Sequence, residues 1–344
     1  MVKRVVQGLL GIAISALMLW LALRNVDMEE AGEAMQRVAW WVYPAYFVQL
    51  TFTHLLRTLR WRLQVDRLTG KRMPLWDALG ICAISFAAIF LLPFRLGEFI
   101  RPYLATRRGY GRKSVGLAAV ALERVLDGLV MTGVLAVILT QMRGQDIPTV
   151  IALGGYLALA VFGGALVVFV ATYRWREVSM RFWRAVLTPF GHTLADKLLG
   201  MLAAFIEGLK SLPTVRDVLV YVGITLLYWL INGLGMWTLA VGMDLNVPVL
   251  GAFFVLSCLV VGITIPAGPG NVGNFEYAIQ ISLAVFGVSH ADGAAYGIWT
   301  HLFQLMHLLV MCLPFLAMLR MGHLPTESEM NEADPVPAVT PPAP

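Results

Sequence analysis

Apolar runs about as long as a bilayer is thick recur along this 344-residue chain, each with few or no charges, near 5–23, 38–56, 76–93, 114–140, 148–171, 218–240, 248–266, 275–288 and 294–319. A helix needs about 20 apolar residues to cross the roughly 30 Å hydrocarbon core. Only 14% of residues are charged, 58% are apolar and the mean hydropathy is +0.73. Soluble chains average about 25% charged residues, so a soluble enzyme, a disordered chain and a disulfide scaffold are excluded. Cys82, Cys258 and Cys312 all sit in apolar runs, odd in number and without a C-x-x-C pair, which points to neither a disulfide framework nor a zinc site. The sequence reads as an all-α polytopic membrane protein.

Basic residues set the expected orientation. Segment 57–72 carries Arg57, Arg60, Arg62, Arg67, Lys71 and Arg72 against one acid, and 95–113 carries Arg95, Arg101, Arg107, Arg108, Arg112 and Lys113 against one. Segment 172–212 has six bases against three acids, whereas 141–147 and 241–247 are poor in bases. Lys and Arg favour the cytoplasmic side, so the net charge of +5 reflects membrane orientation and nucleic acid is not an expected partner. Segments 57–72 and 95–113 flank a single apolar run yet both belong inside. The simplest solution makes 76–106 a re-entrant hairpin entering from the cytoplasm, and the same arithmetic makes 248–288 one entering from outside. The expectation is an inverted-repeat helical bundle with about six full spans and two re-entrant broken hairpins, both termini cytoplasmic, in the cytoplasmic membrane. Eight or nine full spans is the alternative.

The run 5–23 reads as a retained anchor, because it is long for a signal peptide and no A-x-A-like site follows. Between 174 and 212, apolar residues recur at three- and four-residue steps from Trp183 to Leu209, interrupted by Pro189, which predicts an amphipathic segment on the cytoplasmic surface. Residues 1–320 form the expected membrane domain, and the Pro-rich, acidic tail 321–344 reads as disordered.

Two stretches interrupt the apolar pattern in related ways. Pro93 and Gly97, then Pro269 and Gly273, each form P-x3-G with a carboxylate (Glu98, Glu276) within three residues. Proline removes a helix donor and glycine lets the chain turn. Paired breaks in corresponding halves point to an inverted repeat with a midplane site. A helix restarting inside the membrane presents free N–H groups that bind anions, and a guanidinium fork matches phosphate oxygens. Arg95 and Arg101 beside the first break are therefore candidates to hold an anionic lipid headgroup. In the next run, Glu123, Arg124 and Asp127 lie in apolar surroundings, Glu123 and Asp127 four apart on one face. Intramembrane charges line cavities or pair; these carboxylates are expected to pair with Arg95 or Arg101 when no lipid is bound, the alternative being a purely structural ion-pair cluster. Glu98 and Glu276 read equally as proton carriers or as caps of the broken helices. His54, Asn232, His301, Gln304 and His307 read as helix–helix hydrogen-bonding residues. Gly268, Gly270 and Gly273 fit G-x-G-x-x-G, but membrane segments and two prolines surround them. No cofactor or ATP-binding pattern is found.

The stretch FRLGEFIRPYLATRRGYGRKSVGLAAVALERVLDGL (94–129) resembles the R-x-G-E-x-x-R … E-R-x-x-D pattern of the flippase-like transmembrane domain first named from lysylphosphatidylglycerol synthase. IPAGPGNVGNFE (265–276) resembles that family's P-x-G-x-G-x-x-E signature with lengthened spacing. The resemblance covers about residues 1–320 and implies a translocator of anionic or aminoacylated phospholipid, without the aminoacyl-transferase domain and hence not an enzyme. It marks Arg95, Gly97, Glu98, Arg101, Glu123, Arg124, Asp127, Pro269, Gly273 and Glu276 as functional residues. A translocator of a phosphate-bearing lipid or lipid-linked intermediate is the leading expectation. A non-transporting subunit that partners a lipid-modifying or glycosyl-transferring envelope enzyme is the second, and an intramembrane transferase the last.

Overall fold

The computed structural model describes residues 2–142, 147–192, 195–196, 199–200, 214–265 and 268–319. Among these residues all regular structure is helical. Six helices have 22 residues or more: α1 (Val2–Leu23), α3 (Val42–Thr69), α6 (Lys113–Gln141), α7 (Thr149–Arg174), α9 (Val215–Gly242) and α12 (His290–Cys312). At 1.5 Å per residue each exceeds about 30 Å. α7, α9 and α12 are apolar enough throughout to cross a membrane. α3 and α6 carry charges that hydropathy counts against them, but Arg60, Glu123 and Asp127 among these are buried in the bundle.

The remaining helices are short: α2 (Met28–Gln36), α4 (Leu75–Leu91), α5 (Ile100–Arg107), α8 (Arg176–Leu187), α10 (Val249–Gly262) and α11 (Asn274–Ala284). α4, at 17 residues, is about 26 Å long, too short to cross. Beyond it a 3-10 turn, Pro93–Phe99, folds back and α5 returns alongside. The reversal is tied at both ends. Ser85 Oγ donates to the Gly97 carbonyl at 2.7 Å, while Arg108 and Tyr110 donate to Asp77, near the start of α4, at 2.9 and 2.7 Å. Burial and the Asp77 carboxylate together push the Tyr110 phenol up to about 12. The chain thus leaves this hairpin at the end where it entered. The second hairpin repeats the plan: α10 and α11 pack antiparallel, Asn274 Nδ2 donates to the Ile265 carbonyl at 3.1 Å, and Phe286 meets Phe254 near the entrance with ring centroids 5.7 Å apart.

The two halves have the same element order, long–short–long–hairpin–long, in α1–α6 and α7–α12. They run in opposite directions. α3 and α9 lie antiparallel: Ala39 N–H donates to the Gly242 carbonyl (2.8 Å), Gln49 Nε2 to Ile231 (3.3 Å), Arg60 Nη1 to Thr225 Oγ1 (3.2 Å) and Arg67 Nη2 to Asp217 (2.7 Å). α4 packs on α12, as its counterpart α10 packs on α6. The main apolar core, with Tyr46, Met236, Trp299 and Phe303, lies between α3, α9 and α12, and a second core with Trp61, Ile81 and Phe86 sits under the first hairpin. α7 turns Leu153, Leu157 and Val161 outward, as a lipid-facing helix does. α8 is the described start of the expected amphipathic segment at 174–212, and Pro189 falls in the 3-10 turn Thr188–Phe190 that follows it. Residues 201–213 and the tail 321–344 lie outside the described residues.

One expectation is corrected. Arg57, Arg60, Arg62 and Arg67, read as part of a cytoplasmic loop, lie inside α3, which continues to Thr69. Hydropathy averaging ends an apolar run at its first arginines, yet a helix continues wherever neighbouring helices supply partners for them.

Candidate functional site

Both chain breaks lie at mid-height of the long helices. His301, the twelfth of 23 residues in α12, stacks on Phe275 of the second hairpin at 4.3 Å and meets Phe90, just before the first break, at 5.5 Å. The 3-10 turn Pro269–Asn271 packs against α4 and the first break. A Cβ at Gly97 would overlap the backbone of Ala88 and Ile89; one at Gly273, where φ is +90°, would overlap the Ser15 carbonyl and Leu19 amide of α1. Only glycine fits at either position. Pro269 starts the second turn, and Gly268 N–H before it donates to Ser15 Oγ at 2.9 Å.

Beside the first break lies a charge cluster buried in the bundle. Arg60, on α3 and fully buried, donates to both Asp127 oxygens (2.6 and 2.9 Å) and to Glu123 Oε1 (2.9 Å). Glu123 and Asp127 share a face of α6, as four-residue spacing requires. Arg101, on α5 and also fully buried, stands 2.9 Å from Glu123 Oε2 between the rings of Phe86 and Trp61, but none of its nitrogens is aligned for a hydrogen bond. Arg124 approaches Asp127 at 3.4 Å and Glu98 and Glu123 at 3.8 Å, and Trp229 Nε1 donates to Asp127 at 3.2 Å. Glu123 therefore pairs with Arg101 and Arg60, and Asp127 with Arg60 and Arg124. The Arg95 side chain lies outside the described part of the structure.

Glu276 belongs to the other break. Its Oε2 accepts from Gly273 N–H at 2.7 Å, closing a capping box at the start of α11, and its Oε1 meets His301 Nδ1. Each break thus has a carboxylate facing a basic side chain on the long helix that follows: Glu98 with Arg124 on α6, Glu276 with His301 on α12. His307 meets Thr51 across helices at 3.0 Å.

Two cavities adjoin the cluster. One of about 180 Å³ has Arg57, Arg124, Asp127 and Trp229 at one side and Leu256, Leu259, Val260, Ile263 and Phe162 at the other. A smaller one of about 80 Å³ shares Arg57, Tyr228, Asn232 and Gln304 with it and adds Thr53, His54 and His307. A largely apolar groove of about 160 Å³ runs between α1, α6, α7, α10 and α11, bordered by Met18, Leu135, Val150, Val261 and Tyr277. Among the described residues, no group of three potential metal ligands is close enough to hold an ion. Sequence reasoning missed Arg57, Arg60 and Trp229. The signal for the first two was their three-residue spacing, continued by Gln64, which sets them on one face of α3.

The family model described as "Lysylphosphatidylglycerol synthase TM region" matches residues 8–312. The chain belongs to this family. Glycosyltransferase AglD of Haloferax volcanii is 27% identical over 280 residues, covering 72% of this chain and 44% of AglD, so the chain spans less than half of that relative's length. UPF0104 membrane protein MJ1078 of Methanocaldococcus jannaschii is 24% identical over 206 residues, 60% of this chain and 82% of that protein. No solved structure matches the chain. As a member of the lysylphosphatidylglycerol synthase transmembrane-region family with this helical bundle, the chain is a multi-pass membrane protein.

Proposed function

We propose that residues 1–320 translocate a phosphate-bearing lipid, or a lipid-linked intermediate, between the leaflets of the cytoplasmic membrane, with both termini on the cytoplasmic side. The observation that supports this best is the meeting of the two chain breaks at mid-height, beside a buried guanidinium–carboxylate cluster and a cavity polar at one side and apolar at the other. Irregular backbone at membrane depth is tolerated where protein buries it or a cavity meets it. A phosphate oxygen entering the cluster replaces Glu123 or Asp127 as the partner of an arginine, so one charge-assisted contact is exchanged for another. The antiparallel halves give two related ways to expose the cavity, one toward each leaflet. The cluster serves binding, and the reading assigns the chain no bond-making step. The tail 321–344 is outside the translocating unit.

The test is headgroup transfer in reconstituted phosphatidylcholine vesicles carrying a few per cent of a head-labelled anionic lipid, scored by protection from an impermeant reductant. Wild-type protein exposes the inner-leaflet label, and Arg124→Gln, at the cavity wall, strongly reduces transfer at normal protein abundance. No transfer by the wild type across a headgroup panel, or undiminished transfer by the variant, rejects the reading.

One observation favours a second reading, a membrane subunit that partners a glycosyl-transferring envelope enzyme. A relative with that activity in its name aligns over less than half its own length, and α8 exposes Val178, Phe182 and Val186. Polar substitutions at those three positions then impair the partner's activity more than substitutions in the buried cluster do.

A further inference from the structure

Of the arginines around the first break whose side chains are described, Arg57 has the most distinctive surroundings. Its guanidinium lies 3.7 Å from the Phe86 ring centroid and 5.8 Å from that of Tyr228, and it borders both polar cavities. Among the described residues, no carboxylate pairs with it and it donates no hydrogen bond; its Nε is buried without a partner. Arg60 and Arg101, by contrast, are fully enclosed and face neither cavity. A cation at membrane depth without a counter-charge is costly, and here the aromatic faces offset only part of that cost.

Arg57 itself sets the sign of the missing partner: an enclosed guanidinium that no described carboxylate pairs with calls for an anion, and a zwitterion brings no net charge to offset it. Beside Arg57 and Arg124 the larger cavity supplies the amides of Asn232 and Gln304 for ester or hydroxyl oxygens, and opposite them the apolar wall of Leu256 and Val260 for a chain.

We infer that Arg57, assisted by Arg124, is the residue that receives the phosphate, and that it makes the site favour anionic over zwitterionic phospholipids. This rests on the translocator reading and narrows it: phosphatidylglycerol, phosphatidic acid and a prenyl-phosphosugar share the required chemistry, whereas phosphatidylcholine does not.

Equilibrium binding to the purified full-length protein tests it, with Trp229 fluorescence as the signal, because that indole contacts Asp127 at the cavity. The probes are dioctanoyl phosphatidylglycerol, dioctanoyl phosphatidylcholine, dioctanoyl phosphatidic acid and dimethyl phosphate. Phosphatidylglycerol and phosphatidic acid bind more tightly than phosphatidylcholine, and Arg57→Gln weakens both about tenfold or more, as expected for loss of a charge-assisted contact. The same variant leaves phosphatidylcholine unchanged, and Arg57→Lys retains part of the affinity. Because Arg57 pairs with no described carboxylate, Arg57→Gln does not lower the unfolding midpoint below that of the wild type, which separates lost binding from lost fold. Wild-type phosphatidylglycerol affinity in Arg57→Gln, or equal affinity for phosphatidylcholine in the wild type, overturns the inference. Dimethyl phosphate binding as tightly as phosphatidylglycerol overturns its lipid part. Binding that depends on Arg57 without any vesicle transfer rejects translocation and leaves the site standing; transfer with Arg57-independent binding does the reverse.

Discussion

Replacing Arg60 by Met tests whether the buried cluster holds the bundle together. Arg60 donates four hydrogen bonds between 2.6 and 3.2 Å, to two carboxylates of α6 and one hydroxyl of α9. Met fills much of the aliphatic volume but leaves Asp127 with only the 3.4 Å approach of Arg124 and the Trp229 indole, and Glu123 with Arg101. Removing one member of a buried ionic group costs about 3–5 kcal/mol, chiefly because its partners stay charged and unpaired. That corresponds to a loss of about two to four decades in the folding equilibrium constant. Unfolding by sodium dodecyl sulfate in mixed micelles, followed by tryptophan fluorescence, reads the change. Adding Asp127→Asn to Arg60→Met removes the stranded charge and recovers about half of the loss, so the two substitutions are strongly non-additive. A shift of less than about 1 kcal/mol for Arg60→Met, or additive behaviour of the pair, refutes the claim that these groups form one closed network.

Three further outcomes follow from the hairpins. Gly97→Ala places a methyl group in the Ala88–Ile89 backbone and lowers the yield of folded protein in detergent, whereas Gly133→Ala, with open space around it, leaves the yield unchanged. Glu276→Gln keeps an acceptor for Gly273 N–H but loses the charge facing His301; Glu276→Ala loses both and is less stable than the glutamine variant by about 1 kcal/mol in the same unfolding assay. Single cysteines at Leu75 and Gly109 react with an impermeant maleimide from one side of the membrane, and a cysteine at Trp40 reacts from the other; labelling of positions 75 and 109 from opposite sides rejects the first re-entrant hairpin.

The helices were legible in the sequence because lipid and protein both demand apolar surface. The runs 114–140 and 218–240 fall within α6 and α9 to a few residues. The paired breaks were legible from Pro93, Gly97, Pro269 and Gly273, since a chain reversing beside another backbone leaves little alternative to glycine. Glu123 and Asp127 could be placed on one face from spacing alone. Their partner could not. Arg60 is 63 and 67 residues away from them, and a one-dimensional charge count treats a buried arginine as a loop arginine. The same holds for His301, whose contact with Glu276 depends on how α12 packs against α11. Local chemistry is written in spacing, and long-range pairing in the tertiary arrangement.

The seat of α1 against the second break has a consequence for biosynthesis. Ser15 meets Gly268 across 253 positions, and at about 5–20 residues per second the ribosome needs roughly 13–50 s to deliver that partner. Until then α1 lacks the break it packs against, and it must wait in the bilayer alone or in the care of the insertion machinery. Trapping nascent chains of increasing length places its docking among the last events of assembly.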